Sequence, residues 1–220
     1  MTGGLLHMLL KNKIAVITGN PYGIGRVSAA LFTQEGARVV CIDDSRDGWA
    51  SSDAVNAEAP HFLADVSDAA AVAAVVAECE SMLDHVDILF NLAGRTIKQH
   101  FESTTEETWN TMIARNLTAA FVCSRKFLPL MKKSPGGAII NHASIDGFLG
   151  NPSLAAYSAG KGGVIPLTHV MAHDLGKYGI RVNCISTGGI RGGESTPRPE
   201  DAARVRVTPL GRTGTPEDVA

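Results

Sequence analysis

The sequence predicts an α/β fold: a single parallel sheet covered by helices on both faces. Three observations lead there. Short, wholly apolar, β-branched runs recur along the chain, as in strands buried on both sides. Longer segments with apolar residues at helical spacing alternate with them. A glycine cluster follows the first strand and opens a helix. At 220 residues without repeat, low-complexity segment or linker, residues 1–220 form one domain.

The elements follow in order. Lys13 to Thr18 (K-I-A-V-I-T) is the first strand, and Val27 to Glu35 is helical. Arg38 to Ile42 is the second strand and His61 to Ala64 a short third. Ser67 is placed to cap the next helix, whose Val72, Val75, Val76, Cys79 and Leu83 share one face. Asp87 to Phe90 is the fourth strand. Thr104 with Glu107 has a capping-box pattern and opens a long helix towards Met131. Ala138 to His142 is the fifth strand, the region of Tyr157 a helix, and Arg181 to Ile185 the sixth strand. Gly188 to Val207, rich in glycine, proline and charge, reads as a loop or lid.

The turn after the first strand is T-G-N-P-Y-G-I-G, Thr18 to Gly25. Gly19 permits a tight turn, Gly23 lets backbone approach a pyrophosphate, and Gly25 allows close helix-sheet packing. Tyr22 and Ile24 lie in the same loop, and the helix N-terminus offers N–H groups and a positive dipole end. Asp43 ends the second strand 24 residues after Gly19, where an acidic side chain meets an adenosine ribose. A carboxylate there accepts from a free 2′-hydroxyl and repels a 2′-phosphate, which favours NAD over NADP. Asp44 is the alternative reach, and Arg46 is the one hint towards NADP.

Tyr157 and Lys161 are four residues apart on a helix, so their side chains share a face. An ammonium beside a phenol favours the phenolate, so such a pair can move a proton near neutral pH. Most pairs at this spacing are plain surface neighbours; the company this one keeps sets it apart.

That company makes the chain resemble a classical short-chain dehydrogenase/reductase, from about Leu10 to the last residue. The glycine loop matches the family's T-G-x-x-x-G-x-G. Asp65-Val66 resembles its adenine-binding pair, and N-L-A-G (Asn91 to Gly94, with Ala93) its N-N-A-G. Asn116, Ser144, Tyr157 and Lys161 match the catalytic tetrad, with Ser144 thirteen residues before Tyr157. The resemblance implies a Rossmann fold of strand order 3-2-1-4-5-6-7. It also implies an NAD-dependent enzyme (NADP as the alternative) that acts on a secondary alcohol or ketone, and a homotetramer. In that family Tyr157 takes the hydroxyl proton as hydride passes to the nicotinamide, and Ser144 holds the substrate oxygen. Lys161 binds the nicotinamide ribose, and Asn116 supports a helix kink and holds a water. Asp146, two residues after Ser144, is a candidate to face the substrate and accept a hydroxyl, with a solvated acid as the alternative, and Gly188 and the Ile190 backbone remain for the carboxamide. His142 and Arg95 fall near the same cleft by their motif positions, and Phe148 and Leu149 are candidates for an apolar wall.

The chain also departs from the family. T-G-G-I-R-G stands where P-G-x-x-x-T is usual, so Thr187 replaces the proline and Gly192 the threonine. The lid is short. The chain stops at T-P-E-D-V-A, where a last helix and seventh strand are expected to follow. Loss of the threonine keeps open a third reading, an NAD(H)-sensing regulatory protein without turnover; the intact tetrad argues against it.

Composition excludes other classes. A net charge of −2 and 5% aromatic content offer no basic, stacking surface for nucleic acid. No apolar stretch spans a bilayer and no signal peptide is recognised, so a cytoplasmic protein is expected. Cys41, Cys79, Cys123 and Cys184 are scattered, and three lie in apolar runs, as free thiols of a reducing compartment do. His169 and His173 are four apart on a helix but lack a third ligand, so no metal site is expected.

Overall fold

The computed structural model describes residues 8–19, 21–45, 59–191 and 205–220. Arg46, Gly192 and most of the expected lid, residues 192–204, lie outside them.

Six parallel strands form the sheet in the order β3-β2-β1-β4-β5-β6. They are β1 (Ile14–Thr18), β2 (Arg38–Asp43), β3 (His61–Leu63), β4 (Ile88–Asn91), β5 (Ala138–Ser144) and β6 (Arg181–Thr187). Successive side chains of a strand point to opposite faces, and the core divides accordingly. Val16 pairs with Val40 and Leu89, and these join Ile139, Val75, Phe127 and Leu130 on one face. Ile17 pairs with Cys41 and Phe90, and these join Ile24 and Ala29 on the other.

The first face is covered by α2 (Ala69–Met82), α4 (Ala119–Met131) and α6 (Ala155–Leu175); α1 (Ile24–Gln34) covers the second. Val72, Val75, Val76, Cys79 and Leu83 of α2 and its C-cap are buried as their spacing predicts. Two caps differ from expectation. Asp68, not Ser67, caps α2, accepting from Ala70 N–H at 2.8 Å, while Ser67 donates to Asp65. Thr105, not Thr104, caps α3 (Glu106–Ile113), accepting from Thr108 N–H at 3.1 Å.

The long helix expected up to Met131 is three pieces: α3, a π turn at Ala114–Thr118, and α4. Asn116 sits in the π turn, whose widened backbone leaves carbonyls for its side chain to bond. β5 and β6 run two residues past their expected ends, to Ser144 and Thr187, because pairing with each other carries the strands through Ala143-Ser144 and Ser186-Thr187, beyond the apolar runs. A short helix, α5 (Asp146–Leu149), follows β5. Cys41, Cys79 and Cys123 are buried and Cys184 is partly so, all as free thiols. No described helix is long and apolar enough to cross a membrane.

Candidate active site

All six strands end on the same side, where the expected site residues gather; in open parallel sheets this is the ligand-binding edge. At the β1 end, Gly19 has φ +77°, and a Cβ there would stand 2.4 Å from Ala93 Cα. Glycine is therefore required both by conformation and by the close approach of two loops. Thr18 Oγ1 ties the same loops by accepting from Leu92 N–H at 3.2 Å. Gly23 is the N-cap of α1 and brings no side chain to satisfy the first-turn N–H groups. Ile24 and Gly25 are buried beneath them, and Tyr22 is exposed.

Asp43 ends β2 almost buried, and its carboxylate accepts from Ser45 N–H at 2.9 Å. Asp65 follows β3 and accepts from Ser67 N–H at 2.9 Å and Ser67 Oγ at 2.7 Å. Partial burial pushes its carboxyl up, but those two bonds and the nearby Arg115 outweigh it and leave the group below the usual carboxylate range. Arg115 bonds both Asp44 and Asp65, the latter at 3.1 Å, so one guanidinium spans the ends of β2 and β3. Nothing in the sequence singled Arg115 out. Its only signal is its place next to Asn116, since the pairing needs the sheet to bring residues 44 and 115 together. Val66 packs in the core. These features fit a dinucleotide: a loop that excludes side chains, a helix start with open N–H groups, and a carboxylate at the second strand.

Asn91 is turned into the core, where its amide donates to Ser124 Oγ at 2.8 Å and Asn141 Oδ1 at 2.9 Å. Its side chain braces β4 against β5, and Ala93 and Gly94 continue the strand's loop towards the cleft.

Ser144 and Tyr157 line one cleft of about 590 Å³ together with Asp146, Asn151, Thr187, Gly188 and Ile190. Lys98 and Thr96 form its rim on the β4 side. Ser144 pairs in register with Thr187 across β5 and β6, and its Oγ accepts from Asp146 N–H at 3.2 Å. The hydroxyl hydrogen of Ser144 remains available to a bound oxygen. Asp146 accepts from the Asn151 amide. Tyr157 is half-buried on α6.

Lys161 lies one turn further along α6 and is 2% exposed. Its ammonium donates to the His142 main-chain oxygen at 2.7 Å, and His142 Nδ1 lies 3.4 Å away. The ammonium is thus directed at β5, and the Tyr157 hydroxyl makes no hydrogen bond to another described residue. Asn116 donates to the Arg95 and Met112 oxygens at 2.8 and 2.9 Å. A Cβ on Gly94 would come within 2.8 Å of Asn116 Oδ1 and 3.2 Å of Lys161 Nζ, so both side chains converge on that glycine.

Close backbone approach seats α6. Gly147 lies against the Lys161–Gly162 peptide, where a Cβ would be 2.9 Å away, and Gly160 against Asn116. The sequence carried a signal for this: glycine at 160, 162 and 163 is costly inside a helix and marks a packing need. Arg95 is exposed and meets the site through its main chain, and Phe148 and Leu149 are exposed outside the cleft lining.

A family model described as short chain dehydrogenase matches residues 13–202. A 3-oxoacyl-(acyl-carrier-protein) reductase of Thermotoga maritima is 34% identical, over 97% of this chain and 89% of the relative. A 2-(S)-hydroxypropyl-CoM dehydrogenase of Xanthobacter autotrophicus is 34% identical, over 96% and 88%. A levodione reductase of Leifsonia aquatica is 35% identical, over 81% and 70%.

Proposed function

The chain belongs to the short chain dehydrogenase family, and from that premise we propose an NAD-dependent oxidoreductase that interconverts a secondary alcohol and a ketone. The observation that carries this reading is the shared cleft of Ser144 and Tyr157, backed by the buried Lys161 and Asn116.

In this reading the bound nicotinamide supplies or accepts a hydride. Tyr157 takes the proton of the substrate hydroxyl in the oxidative direction and returns it to the carbonyl oxygen in the reductive one. Ser144 donates its free hydroxyl hydrogen to the same oxygen, stabilising charge that develops there. Lys161 lies in a dry pocket, where burial pushes its ammonium down to about 8 against a smaller opposing pull from Cys184. A lysine so placed can give or take a proton near neutral pH, and its reach allows it to turn from His142 to Tyr157 and a cofactor ribose. Asn116 holds the π turn against the strand-4 loop and so fixes the wall behind Lys161.

Gly19 and the start of α1 would take the pyrophosphate, Asp43 the adenosine ribose, and Asp65 with Val66 the adenine. Gly188 and Ile190 would take the carboxamide side. Residues 188–207 would serve as the lid, as Gly188, Ile190 and Val207 line the cleft. Asp43 supports NAD, because a 2′-phosphate beside that carboxylate is repelled. One observation favours the NADP alternative: the Arg115 guanidinium stands at the same corner, paired with Asp44 and Asp65, and a turn away from Asp44 would bring it to a phosphate. The relatives are named for a 3-oxoacyl-(acyl-carrier-protein), a 2-(S)-hydroxypropyl-CoM and levodione, so the substrate is to be found by a panel of secondary alcohols, cyclic diols and ketones. Hydride transfer to NAD from a member of that panel, abolished by Tyr157→Phe, tests the proposal.

A further inference from the structure

Behind the cleft, three polar side chains from three elements form a continuous chain. Lys161 of α6 lies 3.4 Å from His142 Nδ1 on β5, and His142 Nε2 lies 3.0 Å from Thr187 Oγ1 at the end of β6. Thr187 is a lining residue of the cleft beside Ser144 and Tyr157. The pairing is paid out across the sheet: residues 142 and 187 come together only through the β5–β6 register.

The chemistry of the imidazole gives this chain a direction. An ammonium has only donors, so the ring nitrogen facing it must be the acceptor. The proton of the neutral ring is then on Nε2 and is donated to Thr187 Oγ1. Thr187 Oγ1 accepts that bond, which leaves its own hydrogen to be donated into the cleft. We propose that His142 is a positioning residue which cradles the Lys161 ammonium in the cofactor-free enzyme and, through Thr187, presents a hydroxyl donor to a carbonyl-type acceptor in the cleft. The first half stands on the geometry alone; the second rests on the oxidoreductase reading. The acceptor is either the nicotinamide carboxamide or a substrate carbonyl.

The surroundings support the assignment. Lys161 faces His142 on β5 and the Gly94 backbone after β4, and the Cys184 thiol of β6 is near enough to act on its charge; among the described residues no carboxylate pairs with it. Burial, with the ammonium beside it, pushes the His142 imidazolium down to about 3, so the ring stays neutral over the working range.

The test begins with the wild-type, cofactor-free full chain labelled with 15N-histidine. Long-range proton–nitrogen correlation, with His142 identified by its contact to the Thr187 methyl, is expected to show the Nε2–H tautomer. The ring should stay neutral between about pH 5 and pH 9. An Nδ1–H tautomer, or a titration within that range, overturns the first half whether or not the protein has activity. In kinetics, His142→Leu removes an acceptor from the ammonium and disfavours its charged form. kcat/KM for NAD, which starts from the cofactor-free enzyme, should fall about tenfold. The alkaline fall-off should move about one unit towards lower pH. His142→Gln, which can accept and donate in the same way, should restore most of both. A His142→Leu profile that superimposes on wild type counts against the proposal. Thr187→Val and Thr187→Ser separate the two acceptors: weaker NADH binding in the valine variant alone assigns the carboxamide, and a raised KM at unchanged NADH affinity assigns the substrate. If neither changes, the second half is wrong.

Discussion

Asn116 and Arg95 are joined by two opposed hydrogen bonds: the Asn116 amide donates to the Arg95 carbonyl at 2.8 Å, and Asn116 Oδ1 accepts the Arg95 N–H at 3.2 Å. A side chain thereby completes the backbone hydrogen bonding of the loop after β4, and does so from the one turn where α3 and α4 are not regular. The π turn and this loop are two halves of one support behind Lys161.

Asn116→Ala leaves the Arg95 N–H and the buried oxygens of this support without partners. A loss of about 2 kcal/mol or more is expected. Thermal unfolding should move down, and kcat should fall more than NADH affinity, since the support bears on Lys161. Unchanged unfolding together with unchanged kcat would contradict the role.

Gly19→Ala tests the phosphate loop. The left-handed conformation costs an L-residue about 1–2 kcal/mol, and here the added Cβ also meets Ala93 backbone. Tm should drop by roughly 2–8 °C, and NADH binding should weaken by an order of magnitude or more in whatever protein remains folded. An alanine variant that binds and melts like wild type would show that the loop is not held as described.

Asp87 provides a pH-dependent test of stability at the opposite end of the sheet. Burial alone would push its carboxyl up, but Ile14 N–H at 2.9 Å, Ser134 Oγ at 2.8 Å and Lys13 Nζ at 3.1 Å hold it below the usual range. A carboxyl depressed in the folded state contributes stability above its unfolded value, near 4, and loses it as pH falls through the folded value. Asp87→Asn should therefore cost about 1–3 kcal/mol at neutral pH, with the gap to wild type closing below about pH 4. A gap that persists undiminished at lower pH would contradict the assignment.

Cofactor choice follows from two residues at one corner. Titration of protein fluorescence should show NADH bound at least about tenfold more tightly than NADPH, and Asp43→Ser should narrow or invert that ratio. Arg115→Leu should widen it, since the guanidinium paired with Asp44 and Asp65 is lost. Ratios that ignore both substitutions would place the adenosine elsewhere.

Much of this was legible in the chain. The apolar runs of β1, β2 and β4 are strands because they are buried on both faces, and the helical spacing from Val72 to Leu83 marks α2. The ends of β5 and β6 were not legible, because Ala143-Ser144 and Ser186-Thr187 lie beyond the apolar runs and are strand through pairing with each other. The family resemblance put a kink at Asn116, while the split into α3, a π turn and α4 did not follow from it. The contacts of Lys161 with His142, and of Arg115 with Asp44, join residues 19 and 71 positions apart. Local pattern says nothing of such pairs until the register of the sheet is known.

The most direct test of the central claim is Tyr157→Phe, assayed for hydride transfer with the best substrate from the panel and for NADH affinity by titration. Transfer should fall by about 10²–10⁴-fold while NADH affinity stays within about threefold of wild type. Transfer retained within tenfold of wild type would remove Tyr157 from the chemistry, and with it the proposed mechanism.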